Sequence, residues 1–176
     1  MSKIEIHSGY VPGAIGRITH LHGTYYAAHW RLGLYFEAKV ATELAAFMNR
    51  FQPERDGAWL ARADAEIIGG IFIDGAGAGD EGARLRWFIL DPAYQGQGVG
   101  HQLMKAAIAF CQYQHFRRVY LTTFTGLVAA RHLYEAYGFR LCGEADGAHL
   151  TGKSSLVEQV FEYFPKQPRD QSEQCE

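Results

Sequence analysis

The sequence predicts a mixed α/β (α+β) domain, one sheet with helices on both faces, and three observations predict it. Short β-rich runs are interspersed with stretches of helical periodicity along all but the last dozen residues. One of those runs, 84–90, feeds through Asp91-Pro92 into a glycine-rich bend and then a helix. The chain, at 176 residues, suits one domain with a sizeable core and shows no internal repeat.

Taken in order, residues 3–7 alternate polar and apolar and read as a first strand, not as a signal peptide. Pro12-Gly13 makes a turn, and 15–30 reads as a helix with Ile18, Leu21 and Tyr25 on one face. A second helix over 31–51 carries Leu32, Phe36, Val40, Leu44, Phe47 and Phe51 at helical spacing. Strands at 58–63 and 66–73 share a tight turn, and glycine-rich 75–82 reads as a mobile hairpin loop leading to the strand 84–90. The helix 99–115 follows, with Val99, Leu103, Ala106, Ala107 and Phe110 as its buried stripe. A strand at 119–123 precedes a helix that ends near Gly138, a suitable C-terminal cap. Strands at 140–145 and 156–164, joined by a polar loop over 146–155, complete the sheet, so one domain is expected over 1–164. Residues 165–176, polar with two prolines, are expected to be disordered.

Composition narrows the function. A net charge of -2 without any basic block argues against a nucleic-acid partner. No apolar run is long enough to span a bilayer, so a membrane partner is not expected and the cytoplasm is the default location. Cys111, Cys142 and Cys175 are far apart and odd in number, which argues against a disulfide framework or a zinc site. Cys111 in a helix and Cys142 in a strand read as buried, inert thiols. The histidines show no metal-ligand spacing, so no metal is expected.

The bend Gln95-Gly96-Gln97-Gly98-Val99-Gly100 is a candidate phosphate cradle. A helix start carries unpaired N–H groups and about half a positive charge, and glycines let phosphates approach without meeting a Cβ. A dinucleotide fingerprint would need glycine at His101, and a P-loop would need a lysine after Gly98. What remains, Gln95-x-x-Gly98-x-Gly100 after a strand, resembles the coenzyme A pyrophosphate loop of the GNAT superfamily of acyl-CoA N-acyltransferases. Residues 127–139, with Ala130-x-x-Leu133-Tyr134 and then Gly138-Phe139, are similar to the second signature of that superfamily. The likeness covers roughly residues 3–164. It is strongest to the GNAT domains of MarR–GNAT fusion proteins, through 127–131 and Gly152-Lys153-x-x-Leu156-x-x-Gln159, although no MarR part is present.

The resemblance implies a GNAT-like fold, a mixed, mostly antiparallel central sheet in which the strand at 84–90 and the strand from Val119 splay apart. It implies acetyl-CoA as co-substrate, with the backbone of Phe88, Ile89 and Leu90 pairing with the pantetheine arm. Gln95, Gly96, Gln97, Gly98, Val99, Gly100 and His101 would hold the pyrophosphate. The acceptor it implies is a small-molecule or peptide amine, and homodimers are common in the superfamily. A lysine-like amine has a pKa near 10.4, and holding it neutral costs roughly 4 kcal/mol at pH 7, so a base or a water chain is expected. Glu37, Glu43, His20, His22 and Glu81 fall in regions that border the cleft. Glu37 is the chosen candidate, since it lies among Tyr25, Tyr26, Trp30 and Tyr35, which core packing or a substrate wall explains equally. Tyr134 matches the tyrosine that hydrogen-bonds or protonates the departing sulfur. Two departures stand out: Thr122 and Thr123 occupy a stretch where an acidic residue is common, and Leu127 stands where asparagine often contacts pantetheine. The alternatives are a non-catalytic acyl-CoA-binding domain of the same fold and, more distantly, a nucleotide-binding domain.

Overall fold

A computed structural model describes residues 3–152 and 155–166. Among these, seven strands form one sheet: β1 (Ile4–Ser8), β2 (Gly57–Ala63), β3 (Glu66–Asp74), β4 (Ala83–Leu90), β5 (Val119–Phe124), β6 (Arg140–Asp146) and β7 (Val157–Tyr163). Their order across the sheet is β1-β2-β3-β4-β5-β7-β6. Every neighbouring pair is antiparallel except β4 and β5. Helices α1 (Ala14–Trp30) and α2 (Leu34–Asn49) cover one face, and α3 (Val99–Tyr113) and α4 (Val128–Ala136) cover the other. The mixed, mostly antiparallel architecture with helices on both faces is therefore as the sequence predicts.

Each face has its own core. Ile18 and Leu21 of α1 meet Phe36, Val40, Leu44 and Phe47 of α2 over Leu60, Phe72 and Trp87, which is the predicted stripe of α2 at work. On the other face α3 buries Val99, Leu103 and Ala107 as expected, but completes its stripe with Met104, Ile108 and Cys111. Ala106 and Phe110 are only partly buried, because the helix is rolled toward β2, where Phe110 meets the Trp59 ring edge-on at 5.4 Å. Two further expectations need correction. Cys142 is exposed, because both faces of the outer strand β6 are largely open to solvent. The polar stretch before β7 contains a short helix, α5 (Ala148–Thr151), whose C-cap Gly152 has φ 75° and lies under the Tyr35 ring. Lys153, Cys175 and the tail from 167 onward lie outside the described residues.

Strand β4 carries the irregularity that shapes the site. Between the pairs Gly70↔Ile89 and Phe72↔Arg86, the single residue Ile71 of β3 faces Trp87 and Phe88 of β4. This is a β-bulge, and Trp87 sits in it at φ 45°, a left-handed conformation that costs a bulky residue on the order of 1–3 kcal/mol. Packing holds it there: the Trp87 ring lies 5.3 Å from Phe47 and 5.8 Å from Phe72, with the Arg86 guanidinium 4.0 Å over its face. The extra residue switches the strand's faces. Ala83 and Leu85 point into the α3 core, whereas Trp87 and Ile89 point into the α1–α2 core.

The glycine-rich 75–82 loop is a set of turns: the Gly77 carbonyl accepts from Asp80, Glu81 and Gly82. Gly75 is pinned below it, where an added Cβ would stand 2.1 Å from the Arg55 carbonyl oxygen, while Gly79 faces open space. Gly75→Ala should therefore lower stability by about 1–3 kcal/mol in urea denaturation and Gly79→Ala by well under 1. Equal effects would show that this contact does not constrain the loop.

Candidate active site

Strands β4 and β5 pair in parallel only at Ala83↔Val119 and Arg84↔Tyr120. Beyond Arg84 they part, which leaves the later edge of β4 without a strand partner and opens a gap in the middle of the sheet. Two cavities fill this gap. The larger, about 730 Å³, runs along Phe88, Ile89 and Leu90, past Gln95, Gly96, Gly98, Gly100 and His101, to α4 residues from Val128 to Ala136. The smaller, about 110 Å³, lies between α1, α2 and the floor of the gap. Phe88 and Tyr26 line both, so the two cavities meet at the bulge.

The larger cavity ends on the glycine bend. Asp91 starts it by accepting from the Ala93 amide at 3.0 Å, and Pro92 begins a single 3-10 turn. Gly96 (φ 72°) and Gly98 (φ 80°) then turn the chain into α3 through left-handed conformations that glycine adopts without strain. The first amide of α3 to find a helical carbonyl is that of Gln102, onto Gly98 at 3.1 Å. The amides of Val99, Gly100 and His101 are thus the unpaired donors of the helix start, and no side chain caps them. Nine of the ten residues expected to bind the cofactor contribute here either as cavity lining or as those amides. Gln97 is outside the lining, and its side chain donates to the Ala93 carbonyl at 3.1 Å. Gln95 turns its own amide back onto the Leu90 carbonyl at 3.2 Å. Among the described residues no lysine or arginine lines this cavity, so a diphosphate there would meet backbone dipoles rather than ion pairs from them.

Tyr25, Tyr26 and Trp30 of α1 form the opposite wall. The Trp30 indole rests on Gly126 (φ 98°), where a Cβ would come within 2.2 Å of the ring. Tyr35 takes no part in either cavity and instead donates from its hydroxyl to the His149 carbonyl.

The smaller cavity is lined by Glu43, Lys39, Arg84, Arg86, His22 and Tyr134. Tyr134 of α4 lines it, buried, with its ring 6.1 Å from Phe88. Burial raises the Tyr134 phenol well above its ordinary pKa, and that of Tyr26, which Tyr134 also opposes, is raised too. Glu37 does not line the cavity: it is exposed and folds against Gly23 of α1, where an added Cβ would meet its carboxyl carbon at 2.9 Å. The carboxylate of α2 that does reach the cavity is Glu43, six residues further along. Partial burial pushes its carboxyl up, but the Lys39 ammonium and the Arg86 guanidinium outweigh this and hold it below the usual range. His22 is the one histidine in the lining. Its Nδ1 lies 2.9 Å from the Ile18 carbonyl, which can only accept, so Nδ1 carries the proton and Nε2 is left as an acceptor. Burial lowers the His22 pKa to about 4. Sequence reasoning named Glu43 and His22 but did not single them out, and it missed Lys39, Arg84 and Arg86.

The splayed central strand and the glycine-rich helix start thus frame one groove, with a buried tyrosine beside its inner end. The acetyltransferase (GNAT) family model matches residues 18–139, and the chain belongs to that family. Human N-acetylaspartate synthetase is 29% identical over 139 residues, which are 78% of this chain and 46% of that protein. The spermine/spermidine N(1)-acetyltransferase of Bacillus subtilis is 32% identical over 74 residues, 42% of this chain and 47% of that one. The chain thus spans about half the length of the curated relatives it matches. The fold is shared with a Salmonella typhimurium protein solved with its cofactor acetyl-CoA (TM-score 0.74, 13% identity, 99% of this chain and 100% of that one). It is also shared with the ribosomal-protein-S18-alanine N-acetyltransferase of Escherichia coli (TM-score 0.68, 18% identity, 97% and 98%).

The buried neutral His22 has a consequence for stability. Its folded pKa lies below its unfolded value of 6.5, so the unfolded chain binds the extra proton first. Stability should fall as pH drops from about 6.5 to about 4, by about 3 kcal/mol at most from this residue. Urea midpoints of wild type and His22→Gln across that range should converge toward low pH. Parallel curves would mean that His22 is not the group being protonated.

Proposed function

We propose that this chain is an acetyl-CoA-dependent N-acetyltransferase acting on a primary amine. The supporting observation is the junction of the two cavities at Phe88. An acyl carrier laid along β4 from the glycine bend ends its thioester there, beside a second cavity of small-molecule size. The open edge of β4 offers backbone groups to the amides of the pantetheine arm, as a further strand would. The acceptor nitrogen enters from the smaller cavity and attacks the thioester carbonyl. The carbon–nitrogen bond forms, the carbon–sulfur bond breaks, the acetyl group stays on nitrogen, and the proton lost by nitrogen leaves to solvent.

Neither the carboxylate nor the imidazole of the cavity is matched to the task of general base. The Glu43 carboxyl is held low by its cations, and the His22 imidazole is pushed to about 4, so both are much weaker bases than the amine. The amine therefore sheds its proton before or during entry. Nearby guanidinium groups favour this, since like charge lowers the pKa of an ammonium. Tyr134 faces the departing sulfur. Its raised pKa makes full proton transfer to a thiolate of pKa near 8.5 more unfavourable than for a free phenol. Its contribution is a hydrogen bond to the developing thiolate, worth about 1–3 kcal/mol.

Two names among the relatives concern acceptors of opposite charge, aspartate in one and polyamines in the other. Those names therefore leave the acceptor's charge open.

Acetyl-CoA at about 100 Kd should stabilise the protein by about 2.7 kcal/mol, read as a rise in Tm of roughly 5 °C. Absence of any shift at millimolar acetyl-CoA would overturn the reading. Thiol release with a panel of amines then separates an enzyme from a non-catalytic binder of the same fold. Tyr134→Phe should lower kcat by about 10- to 100-fold with measurable activity left. An unchanged kcat would remove Tyr134 from the chemistry.

A further inference from the structure

The smaller cavity holds more positive charge than its own carboxylate can balance. Lys39, Arg84 and Arg86 line it, against Glu43. Glu43 is already shared, since Lys39 and Arg86 both donate to it. Arg86 also reaches Asp74 behind it at 3.5 Å, and Asp74 in turn pairs with Arg50. Arg84 makes no ion pair in this network, although its charge helps to hold the Glu43 carboxyl low. Among the described residues it has no carboxylate partner; its Nη2 donates to the neutral Thr122 hydroxyl at 2.8 Å, and the Tyr120 ring lies 5.8 Å from its guanidinium carbon. The Arg84 Nε is buried and has no acceptor at all.

We propose that the acceptor of this site is an amine that also bears a carboxylate, and that Arg84 anchors that carboxylate. This rests on the reading of the smaller cavity as the acceptor pocket. A guanidinium presents its N–H groups in a planar fork that matches the two oxygens of a carboxylate, and a buried one left unpaired is costly. Thr122 holds the fork in place without neutralising it. Arg84 sits on the floor of the gap, at the last residue where β4 still pairs with β5. Phe88, where the thioester would end, is four positions along the strand, roughly 13 Å if the strand were fully extended. The long arginine side chain spans part of that interval. The remainder suits a short molecule with its carboxylate on the floor and its amine at the bulge, as in an amino acid. A polyamine would bring further positive charge into a cavity that already has a surplus.

Initial rates of thiol release with L-aspartate and glycine, with the amides of both, and with spermidine test the proposal. The acids should exceed their amides in kcat/KM by about 10- to 100-fold, the worth of one charged hydrogen-bonded pair. Arg84→Gln should raise KM for the acids by that factor, leave kcat nearly unchanged, and leave the amides unaffected. Thr122→Asp, which supplies Arg84 with an internal carboxylate, should do the same by competition, and it decides the matter if Arg84→Gln does not fold. Calorimetric titration of succinate into the CoA-saturated protein reads the anchor without turnover, and its Kd should weaken by the same factor in either variant. Arg84-dependent succinate binding without acetylation of any amine would keep the anchor and sink the transferase. Acetylation of amides or spermidine as readily as of the acids, an acid preference that survives both variants, or no carboxylate binding at millimolar concentration would overturn the proposal.

Discussion

The site depends on the refusal of two adjacent strands to stay paired. β4 and β5 share only Ala83↔Val119 and Arg84↔Tyr120 before they separate. An unpaired edge inside a sheet exposes backbone donors and acceptors that folding normally satisfies, and at a sheet border it would invite association. Here the gap is walled by Tyr25, Tyr26 and Trp30 on one side and by α4 on the other, so the edge faces a cavity and not packed protein. The bulge at Trp87 works with this parting. It inverts the strand so that Arg84 and Arg86 belong to the α2 side, while Phe88 and Leu90 turn toward α3 and α4. One strained residue, fixed by Phe47, Phe72 and the Arg86 guanidinium, thus divides the strand into a half on the smaller cavity and a half on the larger, the acceptor and cofactor halves of the proposed reading.

The two halves differ in how they carry charge. The cofactor half has, among the described residues, no lysine or arginine in its lining and relies on the amides of the helix start. Such dipoles recognise a diphosphate by geometry and are insensitive to the side chains around them. The acceptor half is built from ionised side chains, three of them cationic. In the proposed reaction a field of that sign would act twice. It disfavours the ammonium form of an incoming amine, which must be neutral to attack, and it attracts a negative group elsewhere on the same molecule.

Much of this was legible in the sequence, for identifiable reasons. The stripe Phe36, Val40, Leu44, Phe47 placed α2 because helical periodicity survives any tertiary context. The glycine bend was legible because Gly96 and Gly98 do need positive φ. The bulge was not. Residues 84–86 alternate polar and apolar and 87–90 are a continuous apolar run, as in a regular strand covered on both faces, and nothing in that pattern marks Trp87 as left-handed. Because the inversion was invisible, so was the side to which Arg84 and Arg86 point. Glu37 was preferred over Glu43 for its aromatic neighbours in sequence, yet Tyr25, Tyr26 and Trp30 face the larger cavity, Tyr35 faces neither cavity, and Glu37 folds against Gly23. A signal for the arginines was present: two charges inside the central strand of a covered sheet need a reason, and the pocket supplies it.

The departures from the superfamily pattern are best understood together. Leu127 opens α4 without a side-chain cap, a loss of roughly 1 kcal/mol relative to asparagine, and it leaves the helix start beside an apolar stretch of the cofactor groove. Thr122, in the stretch where the superfamily pattern often has an acidic residue, offers Arg84 a hydroxyl that orients it but adds no charge. The first change borders a groove in which backbone amides would hold the proposed cofactor, so a lost side-chain contact would alter grip but not placement. The second falls where side chains alone choose the ligand. Had Thr122 been a carboxylate, Arg84 would be spent within the protein and the cavity floor would be closer to neutral. With threonine there, the proposed reading has the balancing negative charge arrive with the acceptor.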